Sequence, residues 1–268
     1  MVARVVLMLA WVVAATACGD GSDGARDGEV SGRITVFAAA SLTDAFQEIG
    51  AAFELRYPGT EVRLAFGGSP TLRLQIEQGA RADVFASADS AQMEIALRSG
   101  VALPPTQVFS RNSLVIIVPA DNPGGLDSAA DLAKPGLKLV LANPDVPVGA
   151  YSAQVLENLE AGAGFGTDFV ERVLGNVVSR ESNVKQVVAR VELGEADAGM
   201  VYGSDVTPAI ADDVRVISLP ERFNVVASYP IALVNTAANA ATARAFIDYV
   251  VSRAGQQILA RHGFLTAE

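Results

Sequence analysis

The chain has 268 residues, half of them hydrophobic, with 30 acidic side chains against 20 basic ones and a formal net charge of -10. That length supports two compact lobes around sizeable cores, and the acidic balance repels polyanions at long range; with no basic patch interleaved with aromatics, nucleic acid is excluded as a partner. A single cysteine and a single histidine rule out an internal disulfide and leave a zinc site or a histidine-based triad short of residues.

At the N-terminus, Arg4 precedes an apolar run from Val5 through Ala17 that is too short to span a bilayer, so residues 1–17 are expected to be an export signal. Ala15-Thr16-Ala17-Cys18 is similar to the lipobox of bacterial lipoproteins, with alanine in place of the usual leucine. Cys18 is therefore the expected lipidation site. Residues 18–32, rich in Gly and Asp, carry too little apolar surface to fold and are expected to form a flexible tether outside the cytoplasmic membrane.

From Ile34 to Ser99, short apolar strands (34–37, 61–66, 83–87) alternate with amphipathic helices (42–56, 70–78, 90–99), a parallel βα pattern. Ala45, Phe46, Ile49, Ala52 and Phe53 share one face of the helix over 42–56, and Tyr57-Pro58-Gly59 stops it. Ser41 stands where the first strand meets this helix. The first turn of a helix has backbone N–H groups without intrahelical acceptors and carries partial positive charge, so a hydroxyl there serves either as an N-cap or as a donor to an anion. The same junction recurs at Phe66-Gly67-Gly68-Ser69-Pro70, where Pro70 suits the first helical position with Ser69 as N-cap, and the two glycines leave room for a ligand at the backbone.

Two continuous apolar runs, 113–119 and 225–234, read as crossovers between lobes. Strands near 137–142, 176–179, 197–202 and 214–218 form a second βα series between them, and helices near 239–251 and 254–261 return to the first lobe. The expected architecture is α/β, with lobe 1 over 33–110 plus 231–268, lobe 2 over 111–230, and a hinge near 108–118 and 222–234.

Other chemistry is sparse. His262 falls at a helix end, and Gly162-Ala163-Gly164-Phe165-Gly166 follows a helix instead of a strand, so it reads as a loop with Phe165 turned inward. Asp83 and Asp89 flank a strand and read as structural caps, and Asp212-Asp213 as a solvated turn. No general base at motif spacing accompanies Ser41.

The segments ITVFAAASLTDAF at 34–46, FGGSPTLRLQIEQGARADVFASAD at 66–89, NSLVIIVP at 112–119, NPDVPVGAYS at 143–152 and AGMVYGSD at 198–205 resemble the periplasmic molybdate-binding proteins of ABC transporters over nearly all of 33–264. The resemblance implies a type II periplasmic-binding-protein fold, two lobes joined by two crossover strands, enclosing an oxyanion. It places hydroxyl donors at Ser41 and Ser69, backbone donors at Val148 and Val184, and a phenol donor at Tyr202. Gly68 and Pro70 stand where some relatives carry serines, which leaves Ser69 the one hydroxyl of that loop before Thr71. The implied ligand is molybdate or tungstate, bound through its oxygens with no free metal cation and no cofactor, and the implied partner is a membrane permease, the chain acting as a monomer. The alternatives are an enzyme on the same scaffold acting on a phosphate or sulfate ester, and a binding protein for another small oxyanion.

Overall fold

The computed structural model describes residues 30–267, so the expected export signal, Cys18 and most of the tether lie outside the described residues. The end of the expected tether is already part of the fold. Strand β1 starts at Gly32, and the Ser31 N–H donates to Thr242 Oγ1 at 3.1 Å.

The first unit follows the expected alternation closely. Strands β1 (Gly32–Ala39), β2 (Thr60–Gly67) and β3 (Val84–Ala86) alternate with helices α1 (Thr43–Arg56), α2 (Ser69–Glu77) and α3 (Ser90–Arg98). β1 pairs in parallel with both β2 and β3. Its core is aromatic: Phe46 and Phe53 of α1 meet Phe246 with ring centroids 6.1 and 5.3 Å apart, and Phe46 meets Phe109 at 5.7 Å. Rings tilted at these separations add edge-to-face attraction to the area they bury.

Strand β4 (Ala102–Pro119) is much longer than the apolar run at 113–119 suggests. Residues 102–113 pair antiparallel with β9 (Val226–Val234), whereas residues 114–119 pair with β7 (Ala198–Tyr202) and β8 (Val214–Ser218). β9 also lies antiparallel to β3. The strand order is β2-β1-β3-β9-β4-β7-β5-β6, with β8 attached to β4, so β4 and β9 occupy the middle and link two parallel-sheet halves.

The second half contains β5 (Leu139–Ala142), α4 (Pro147–Ala161), α5 (Phe169–Gly175), β6 (Val177–Glu181) and α6 (Val184–Glu192). β5 is parallel to β6 and β7. β7 and β8 flank β4 and both run antiparallel to it, so β8 keeps the direction of the series, but no α-helix separates it from β7 and it joins the sheet beside β4. Helices α7 (Ala240–Val251) and α8 (Arg253–Arg261) return to the first half, and His262 closes α8 with its Nε2 2.8 Å from Glu48. Phe165 does turn inward, its ring 5.0 Å from Phe169 and 5.8 Å from Phe223.

Candidate functional site

Four strand-to-helix junctions converge where the two halves meet. β1 runs into a 3-10 turn over Ala40–Leu42 ahead of α1, β2 into α2, β5 into α4 and β6 into α6. Each junction puts first-turn N–H groups at the carboxyl end of a parallel strand, the place where open α/β sheets bind ligands. Between them lies a pocket with a cavity volume of about 10 Å³, and Ser41, Ser69, Val148, Val184 and Tyr202 all line it. The remaining lining comes from small or neutral residues, among them Ala40, Gly68 and Asn183, and no lining side chain is an acid, a lysine, an arginine or a histidine.

The two serines reach the pocket by routes that differ from the expected caps. Ser41 sits inside the 3-10 turn, and α1 begins at Thr43 behind Leu42 with no side-chain cap. Thr43 Oγ1 donates to the Ala40 carbonyl at 2.7 Å and ties the turn down, which frees the Ser41 hydroxyl to lie 3.1 Å from that of Tyr229. In α2 the N-cap is Gly68, and Ser69 is already helical. Its Oγ accepts the Ala88 N–H at 3.1 Å. An oxygen that accepts from behind keeps its own hydrogen for the pocket.

The other wall offers main-chain donors. Pro147 opens α4 and has no N–H, so Val148 supplies the first one, and its side chain is buried in the core. Gly149 follows because a Cβ there would lie 2.0 Å from the Asn143 carbonyl oxygen. At α6 the Asn183 side chain caps Gln186 N–H at 3.2 Å, leaving the Val184 N–H at the first position uncapped. Tyr202 ends β7 with its hydroxyl buried and without a hydrogen-bond partner. Burial pushes this phenol well above its ordinary pKa, so it remains a neutral donor. Asp205 Oδ2 accepts the Tyr202 backbone N–H at 3.2 Å; burial raises that carboxyl to about 7, against the lowering pull of Lys185.

Of the acidic pairs, Asp89 caps α3 by accepting the Gln92 N–H at 2.9 Å. Asp83 is no helix cap: it accepts the Thr35 N–H at 2.7 Å and the Asn239 N–H at 3.3 Å, bracketing β1 and the start of α7. Asp212 and Asp213 are exposed in a turn.

Contacts between the halves show what the residue pattern alone leaves unread. A Cβ at Gly68 would lie 2.4 Å from the Ser182 carbonyl oxygen, so this glycine admits the opposing backbone, not only a ligand. Gly67 serves packing instead, facing Leu72. Lys185, beside Val184 on α6, reaches Asp44 on α1 at 3.0 Å. Tyr229 lies within an apolar strand and carries no local motif; its only signal in the sequence is a phenol amid the aliphatic run of β9.

The family model of bacterial extracellular solute-binding proteins matches residues 34–265. The molybdate-binding protein ModA of Mycobacterium tuberculosis (strain ATCC 25618 / H37Rv) is 40% identical over 256 residues, 94% of this chain and 93% of its own length. Among solved structures, the periplasmic molybdate-binding protein of Azotobacter vinelandii aligns with a TM-score of 0.76 at 22% identity, over 88% of this chain and 100% of that one. The sulfate-binding protein SubI of Mycobacterium tuberculosis H37Rv aligns with a TM-score of 0.78 at 19% identity, over 88% of this chain and 87% of that one. At those identities the two structures speak for the two-lobed fold alone. The chain belongs to the bacterial extracellular solute-binding proteins, of the ModA type.

Proposed function

We propose that this protein captures molybdate or tungstate outside the cytoplasmic membrane and delivers it to the permease of an ABC importer. The observation that carries this reading is the donor set: five groups from two lobes, Ser41, Ser69, Val148, Val184 and Tyr202, line one small pocket that contains no charged side chain. A fully deprotonated tetrahedral dianion offers only acceptors and matches such a set. Hydrogen bonds to a charged partner in a dry cleft contribute roughly 1.5–3 kcal/mol each, so neutral donors suffice despite the acidic surface. Phosphate, which carries a proton at neutral pH, is best met by a carboxylate acceptor, and no lining side chain is one.

Binding, not turnover, is the function. No lining side chain can act as a general base for Ser41. Lobe 1 (33–110 plus 231–268) and lobe 2 (111–230) are proposed to close by bending where β4 and β9 pass between them. Cys18 is proposed to carry a lipid anchor, and the chain to act as a monomer. Replacement of Cys18 by serine in the full-length protein should release it from the membrane fraction; unchanged fractionation with normal processing would contradict the anchor.

Competition calorimetry on the exported domain tests the ligand assignment. Molybdate and tungstate should bind much more tightly than sulfate or phosphate. Equal or stronger binding of phosphate would overturn the reading.

A further inference from the structure

Behind the pocket, out of reach of a ligand, lies a row of buried polar groups that the donor set does not use. Tyr229 is fully buried on β9, its hydroxyl 3.1 Å from Ser41 Oγ, and either oxygen can be the donor in that contact. Asn112 on β4, also buried, lies against the same phenol. Its amide is pinned. Oδ1 accepts the Ser113 N–H at 3.0 Å, and Nδ2 donates to Ser204 Oγ at 2.7 Å. Both ends of the amide are thus held by groups other than Tyr229.

The partners of the phenol decide which way the hydrogens run. If Ser41 donated to Tyr229, the phenolic hydrogen would be left without an acceptor: Ser41 Oγ is the one group within hydrogen-bond distance of that hydroxyl among the described residues, and the Tyr202 hydroxyl, which also lies against it, makes no hydrogen bond. The consistent arrangement runs from Tyr229 to Ser41 and into the pocket, with Asn112 packed against the phenol. A hydroxyl that accepts from a phenol is also polarised, which strengthens its own donation. Ser69 is treated in the same way by a different group, since its oxygen accepts the Ala88 N–H.

We infer that Tyr229 is a positioning and specificity residue: it fixes Ser41 as a hydrogen-bond donor and so sets the pocket against oxyanions that carry a proton. The inference rests on the oxyanion reading proposed above. A protonated oxyanion would need Ser41 to accept, which requires the Ser41 hydrogen to turn back onto Tyr229 and collide with the phenolic one. A deprotonated dianion meets no such conflict. Tyr229 never touches the ligand in this scheme and acts through Ser41 alone.

The test is a double-mutant cycle with Tyr229→Phe and Ser41→Ala, titrated with molybdate and then with phosphate as competitor. Phenylalanine retains the ring packing against Tyr202, Phe109 and Phe264, and thermal unfolding of each variant verifies the fold. Tyr229→Phe should weaken molybdate binding about 3- to 10-fold in the parent background and leave it unchanged within about twofold in the Ser41→Ala background. Phosphate should compete better, relative to molybdate, in Tyr229→Phe than in the parent, because the Ser41 rotor is released. A merely structural defect would lower both affinities by the same factor. An equal loss in both backgrounds, or an unchanged phosphate-to-molybdate ratio, would overturn the inference. Failure of the parent itself to bind molybdate would instead overturn the oxyanion reading, which keeps the two separable.

Discussion

The two walls of the pocket solve one problem with different materials. The wall carried by β1 and β2 uses side-chain hydroxyls, Ser41 and Ser69, each held from behind, the first by Tyr229 of the middle strand β9 and the second by the Ala88 N–H. The wall carried by β5 and β6 uses main-chain N–H groups at Val148 and Val184, with Tyr202 as its one side-chain donor. A hydroxyl is a donor or an acceptor according to its neighbours, so the first wall depends on residue identity and on a supporting network. A helix N-terminus is a donor by geometry, so the second wall depends on where the helix begins and tolerates any side chain that packs.

The contrast can be broken most forcefully where the walls touch. Gly68→Val would place a side chain against the Ser182 carbonyl, a backbone atom that no rotamer change moves aside. We expect it to block closure and weaken molybdate binding more than about 100-fold, while the ligand-free protein, free to stay open, unfolds close to the parent temperature. Calorimetry paired with thermal unfolding measures both, and parent-like affinity would show that the close approach at Gly68 is not needed for binding.

Tyr202→Phe comes next. It removes a donor that has no partner in the ligand-free protein, so affinity should fall about 5- to 150-fold, from a loss of roughly 1–3 kcal/mol. Stability without ligand should hold or rise, because an orphaned buried hydroxyl is gone. A fall in stability with affinity intact would reverse the assigned role.

Asp205, which anchors the Tyr202 backbone, sharpens the picture through pH. Its native carboxyl holds a proton up to about 7, against an ordinary 3.8, because it is desolvated. Between those values the native state binds the proton and the unfolded chain does not, so this contribution to stability is full below about pH 4 and is lost as pH rises to about 7. Asp205→Asn keeps an acceptor for the Tyr202 N–H without the titration. Relative to this variant, the parent should lose stability across that window by at most about 1.4 kcal/mol per pH unit, then run parallel to it. Thermal unfolding from pH 4 to 8 checks this; parallel curves throughout would show that Asp205 is ionised in the fold.

The smallest effect on binding is expected at Val148→Ala, where the donor is the backbone. Affinity should stay within about twofold, while stability falls by about 2 kcal/mol for two buried methyls. A large loss of affinity in a folded variant would mean that the valine side chain itself shapes the site.

How much of this was legible in the residues follows the same division. Ser41 and Ser69 stand out as small hydroxyls between an apolar strand and a helical pattern, but there a hydroxyl serves as N-cap or as anion donor and the residues leave both open; the caps themselves fall one or two positions away. Val148 and Val184 carry no such signal, because a valine side chain says nothing about its N–H; only the family resemblance pointed to them. Tyr229 was hidden inside a run read as a crossover strand. The inter-lobe role of Gly68 depends on a backbone more than one hundred residues away, and the pairing of β8 with β4 depends on a partner strand equally remote in the chain. The first half of β4 was missed because its polar residues, among them Thr106 and Gln107, lack the apolar continuity that marked 113–119.

The central claim is that both walls close on one oxyanion through five neutral donors. A crystal structure of the exported domain grown with molybdate, with the metal located by its anomalous scattering, tests it directly. The account predicts a single molybdenum site in this pocket, with molybdate oxygens about 2.7–3.1 Å from Ser41 Oγ, Ser69 Oγ, Val148 N, Val184 N and the Tyr202 hydroxyl. Molybdate held elsewhere, or coordinated by a lysine or arginine that swings into the cleft, would contradict it.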